Sequence, residues 1–135
     1  MGHNSHFSGS VEIDPPLNWS EIRKAHELPH VTAETLPRGT RNSQIVLAVN
    51  QHEENTDQGT NTVKLCYRIN PFSDFYTGFL VQEAIQSVVD AFGDDHTFSG
   101  HIEERAEDNA WHHRFAVKEG RVRKIKPVIT WVEEE

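Results

Sequence analysis

Nine histidines in 135 residues are the first feature of this sequence that could carry chemistry. Neutral imidazole is a common ligand for zinc and similar ions, so the spacings decide more than the count. His112 and His113 are neighbours, and neighbours in a strand point to opposite faces. His96 and His101 stand five apart, which also divides them across a strand. His26 and His30 have i, i+4 spacing, but Pro29 intervenes and breaks a helix there. No H-E-x-x-H, cysteine pair or closed carboxylate set accompanies them. The expectation is a set of surface and interface histidines, with no metal site and no cofactor.

Acid–base chemistry would draw on Glu103, Glu104, Glu107 and Asp108, which crowd one short stretch. A charge run of this kind reads as a solvated hairpin loop. No G-x-S-x-G, P-loop or dinucleotide fingerprint is present. Cys66, the single cysteine, stands between Lys64 and Arg68 in a strand pattern and reads as a simple free thiol. No catalytic residue is assigned, and the balance leans away from an enzyme.

The elements that would position these groups follow from periodicity and breakers. Residues 1–6 read as a flexible start and 7–135 as one domain. Phe7, Gly9, Val11 and Ile13 alternate with polar residues, giving a first strand that Pro15 and Pro16 stop. Asn18 and Glu21 have capping-box spacing before a helix over about 19–27. Residues 29–43 read as a long loop. Strands over 44–49 and 63–69 flank a polar tip at 51–61. The apolar stripe Tyr76, Leu80, Ala84, Val88 and Phe92 predicts a helix over 74–92, capped by Ser73 or Asp74. Three more strands are expected over 97–104, 111–118 and 122–132, the last an edge strand interrupted at Pro127.

This order predicts an α+β fold, a ferredoxin-like split β-α-β domain with two extra C-terminal antiparallel strands. Strand four would then lie beside strand one. The two share an echo, Phe7-Ser8-Gly9-Ser10-Val11-Glu12 and Phe98-Ser99-Gly100-His101-Ile102-Glu103. With Phe7, Leu65, Phe98 and Phe115 toward the helices, the other sheet face presents Ser8, Lys64, Arg68, His101, Glu103, His112 and Arg114. Arg68, His101, His112 and Arg114 are candidates to hold a carboxylate or phosphate there. The plainer reading is the wet side of an antiparallel sheet. Trp131 and Ile129 are candidates for an interface, most simply that of a homodimer.

Net charge is −8, which disfavours nucleic acid as a partner. No apolar run approaches membrane-spanning length, no secretory signal is visible, and one cysteine permits no internal disulfide. A cytoplasmic location is expected.

The text Ile13-Asp14-Pro15-Pro16-Leu17-Asn18-Trp19-Ser20-Glu21-Ile22 is distinctive. So are His96-Thr97-Phe98-Ser99-Gly100, Gly120-Arg121-Val122 and Pro127-Val128-Ile129-Thr130-Trp131. In that order they resemble an uncharacterised family of small proteins from actinobacteria and their phages. The resemblance covers the start and the last third and implies origin, not activity. With the composition it supports an expectation of a small non-enzymatic binding protein. Such a protein would contact a host protein or sequester a small anionic ligand, as a phage anti-defence factor does. The alternatives are a metal-dependent or acid–base enzyme using the histidine-bearing sheet face, and an acidic nucleic-acid mimic.

Overall fold

The computed structural model describes residues 4–37, 39 and 42–135. Its elements are β1 (Ser5–Leu17), α1 (Trp19–His26), β2 (Val31–Ala33), β3 (Ile45–Thr56), β4 (Gly59–Pro71), β5 (Phe75–Tyr76), α2 (Val81–Phe92), β6 (Thr97–Ala106), β7 (His112–Lys118) and β8 (Arg121–Ile125). The strands form one sheet in the order β2-β3-β4-β1-β6-β7-β8, with β5 pairing to β1 off that path. No helix among the described residues is long and apolar enough to cross a membrane.

Half of the described residues are in strands and 16% in helices, and the sheet is a mixed, curled half-barrel. The expected ferredoxin-like domain with two extra strands is therefore wrong, for reasons visible in particular elements. Val31–Ala33, expected within a loop, adds a parallel strand outside β3. Residues 51–61, expected as a loop tip, continue the β3–β4 ladder to the Thr56–Gly59 pair. Irregular pairing between Glu12 and Leu17 and between Ala48 and Asn50 bends the strands, as bulges do. The irregularity beside β4 also resets which side chains face inward. Cys66 and Ile69 are buried, Leu65 is half-buried, and Lys64 lies over the Trp19 ring at 4.3 Å instead of on the open face.

The flexible start expected over 1–6 falls partly outside the described residues. Of the rest, Ser5 and His6 belong to β1, and Ser5 is fully buried. The loop 29–43 contains residues 38, 40 and 41, which also lie outside the described residues.

Both helices cover one face of the sheet and share a single core with it. α1 forms where expected, and its capping box is complete: Glu21 N donates to Asn18 Oδ1 at 2.9 Å and Asn18 N to Glu21 Oε1 at 3.0 Å. It places Ile22 and Ala25 in the core. α2 starts at Val81, later than the stripe implied, because Phe75 and Tyr76 are drawn into pairing with His6 and Ser5. Neither Ser73 nor Asp74 caps it. Phe79 N and Leu80 N donate instead to Oε1 of buried Gln44, at 3.0 and 3.4 Å. α2 then buries Val81, Ala84, Ile85, Val88 and Val89.

The last strand ends at Ile125, not 132. Residues 126–135 are exposed and in no regular element.

Candidate functional site

The open sheet face holds the four residues proposed from sequence, but Arg68, His112 and Arg114 each already have a carboxylate partner. Arg68 Nε lies 3.4 Å from Glu12 Oε2. Arg114 Nε donates to Glu103 Oε1 at 2.8 Å, and His112 Nε2 to Glu103 Oε2 at 3.0 Å. Those two donors hold the Glu103 carboxyl below the usual range. His101, half-buried, stands opposite Ser10 between these two groups. Arg68 pairs with the Glu12–Ser99 row and Arg114 with the Ser8–Glu103 row. Four residue steps along β6, from Ser99 to Glu103, separate the two rows, roughly 13 Å of strand. The candidates thus share a face without converging on one point.

The face that carries the helices offers a more enclosed arrangement. β6 and β7 pair Glu104 with His113, and both side chains turn inward, 4% and 8% exposed respectively. His113 Nε2 donates to Glu104 Oε1 at 2.7 Å. Glu103 and Glu104 thus lie in β6, within the strand expected over 97–104 and not in the solvated hairpin loop read for the charge run. The His112–His113 pair divides across the sheet as a strand requires, one imidazole to each face and each to its own glutamate. The signal was present in the sequence: two adjacent glutamates and two adjacent histidines flank one short turn. Without the turn's centre, the pairing register could not be assigned.

Burial pushes the His113 pKa below its ordinary value. The Glu104 carboxylate opposes that shift, and the charge of Lys124 assists it. At neutral pH the ring is uncharged, with its proton on Nε2 and a lone pair on Nδ1. The ring also meets Phe115 edge-on, 4.8 Å between centroids.

Above this pair is a cleft of about 420 Å³. Phe79, Trp111 and Phe115 supply its aromatic walls, Glu83 and Lys124 its charged rim, and Glu104 and His113 its polar floor. α2 brings Val81, Gln82 and Glu83 to it, and the tight approach of Gly78 to the Phe7 ring positions Phe79. A Cβ on Gly78 would lie 2.4 Å from Phe7 Cζ. Tyr76 supports the same corner. Its ring stacks on Phe7 at 4.3 Å, and its hydroxyl donates to Gln44 O at 2.6 Å and accepts from Phe72 N at 3.2 Å. Burial holds that phenol protonated, and the Glu104 charge adds to the effect.

Elsewhere the titratable groups serve the fold. Burial pushes the Cys66 thiol up to about 11, and it donates to Arg68 O. Among the described residues no three His, Cys, Asp or Glu side chains gather closely enough to hold a metal ion.

A curled sheet with two helices on one face and an aromatic cleft over a carboxylate–imidazole pair defines a small β-rich α+β protein. The chain belongs to the family of unknown function DUF6205, which it matches over residues 1–135. No curated protein and no solved structure matches it.

Proposed function

We propose that the protein is a small-ligand-binding protein whose cleft takes a flat ring that is neutral or carries positive charge. The observation that carries this reading is the buried Glu104–His113 pair beneath Phe79, Trp111 and Phe115. Concave sites with apolar walls and a few convergent polar groups are where small ligands bind, and a shifted titratable group strengthens the inference. The aromatic walls favour a planar ring. The lining holds two carboxyl groups, Glu83 and Glu104, against one ammonium, Lys124. That balance favours a neutral or cationic ring over the anionic ligand suggested by the open sheet face. There Arg68, Arg114 and His112 would first have to give up Glu12 and Glu103.

The test is an NMR titration with benzamidine and benzoate, rings of opposite charge. Benzamidine is expected to shift the Trp111 indole and His113 signals, and Trp111→Ala to weaken it at least tenfold. Shifts confined to Arg68, His101, His112 and Arg114 with benzoate would overturn the cleft and favour the anionic reading.

The Glu104–His113 geometry also favours a second reading, an acid–base enzyme acting in the cleft. A carboxylate that fixes one imidazole nitrogen leaves the other able to take a proton. An actinobacterial or phage origin and an anti-defence role stay attached to the binding reading through the motif resemblance alone, and a cytoplasmic location through the single cysteine and the lack of a visible secretory signal.

A further inference from the structure

The segment 121–135 is self-complementary when read against itself. It begins with Arg121, Arg123, Lys124 and Lys126, continues through Val128, Ile129, Trp131 and Val132, and ends in Glu133, Glu134 and Glu135. Its second half is rich in β-branched and aromatic residues, which favour strands, yet it joins no strand ladder among the described residues. Ile129 is 85% and Trp131 94% exposed.

β8 is the last strand of the sheet, and α2 covers only its beginning. Gln86 Oε1 accepts from Val122 N at 2.8 Å, Gln82 Nε2 donates to Val122 O at 2.9 Å, and Gln86 Nε2 donates to Gly120 O at 3.0 Å. From Lys124 onward the edge has no such cover.

The direction of the free donors follows from the hairpin. Lys118 pairs with Arg121 across the Glu119–Gly120 turn, so odd positions of β8 send N–H toward β7 and even positions send it outward. Val122, donating to α2, obeys this rule. Pro127 therefore falls where its missing N–H would have faced β7. It ends the β7–β8 ladder and leaves the outward donors at 124, 126 and 128 intact.

We infer that residues 124–132 pair, antiparallel and about a two-fold axis at Val128, with the same segment of a second copy of this chain. Antiparallel pairing centred there sets Lys124 opposite Val132, Lys126 opposite Thr130 and Ile125 opposite Trp131. Beyond the ladder, Arg123 meets Glu133 and Arg121 meets Glu135, once at each end. Paired residues in an antiparallel ladder share a face, so these charges lie side by side. Unpaired edges recruit other chains, and a two-fold contact consumes its own surface and closes the assembly. The end charges fix register and partner.

The test is sedimentation equilibrium of the full chain at micromolar to tens of micromolar concentration, with three variants. The wild type is expected to be a dimer. Val128→Pro removes the central outward donor and is expected to raise the dimer dissociation constant at least tenfold. R121E/R123E and E133K/E135K each set like charges against each other at both ends and are expected to be monomeric alone. Mixed in equal amounts they regain opposite charges at both ends and are expected to form a heterodimer. All these substitutions lie at exposed positions, Val128 included, and the charge pair keeps the test valid if the proline variant misfolds. A monomeric wild type, open-ended polymers, or a charge pair that fails to restore association on mixing would overturn the inference.

Discussion

Gly9 and Gly100 are related by a local two-fold axis that passes through the Ser10–His101 pair of the β1–β6 ladder. Gly9 stands opposite Ile102 and Gly100 opposite Val11, so each glycine is one residue before the axis on its own strand. Both have positive φ, +86° and +99°. A Cβ on Gly9 would lie 2.6 Å from His101 O, and one on Gly100 would lie 2.8 Å from Ser10 O. The repeated Phe-Ser-Gly text is thus matched by a real two-fold relation over this ladder. Glycine kinks at defined positions are how a sheet acquires curvature.

Gly9→Ala and Gly100→Ala are each expected to cost about 2 kcal/mol or more, because a side chain there is strained and meets partner backbone. Because the two sites share one ladder, the double variant is expected to depart from additivity. Urea unfolding of the three variants checks this; losses below about half a kcal/mol at both sites would show that the ladder tolerates flattening.

His96 and His113 are expected to titrate in opposite directions from an ordinary histidine. His96 donates from Nδ1 to Pro15 O at 2.6 Å and from Nε2 to Glu21 Oε2 at 2.8 Å. Burial opposes its charge, but the Pro15 carbonyl and the Glu21 carboxylate outweigh burial and raise its pKa. Burial likewise opposes the Glu21 charge, but the Asn18 N–H and His96 outweigh it and lower that pKa. In this His96–Glu21 pair the His96 part is therefore fully present below the ordinary histidine value of about 6.5 and fades as pH rises through the raised value. The Glu21 part is present above the ordinary carboxylate range and fades only as pH falls through the lowered value. For His113 the sign reverses: its contribution is full above about 6.5 and is lost as pH falls through the lowered value. Histidine NMR titration reads both, and a His113 midpoint above that of His96 would contradict the assignment.

Ile85→Ala is expected to destabilise by about 2–5 kcal/mol, and Val88→Ala by somewhat less, since both side chains are fully buried. Leu80 has the spacing of the same stripe but lies only half-buried at the α2 N-cap, so Leu80→Ala should cost less than either. Thermal and urea denaturation rank the three, and the reverse order would misplace the buried face of α2.

Cys66 is expected to resist aromatic disulfide reagents in the folded protein and to react once in guanidinium. Full burial denies access, and a thiol pushed up to about 11 supplies almost no thiolate at pH 7. Rapid labelling of the native chain would mean that the β4 region opens readily.

What the sequence determined by itself was local. Asn18 and Glu21 specified the start of α1 because a capping box is closed within one turn. Alternation placed β1, β6 and β7, and adjacency alone sent His112 and His113 to opposite faces. Tertiary structure decided whatever depended on a distant partner. α2 begins at Val81 because Gln44, far away in the chain, takes the N–H groups of Phe79 and Leu80 just ahead of it and because β1 takes Phe75 and Tyr76 as a strand. Ladder pairing made strands of polar residues 51–56 and 59–61, whose own side chains signal a turn. Glu104 reads as one member of a charged run until the register sets it opposite His113 inside the sheet. A single residue's type fixes its preference for water, but only the pairing of strands fixes which face it must occupy. A one-residue shift in register exchanges the two faces.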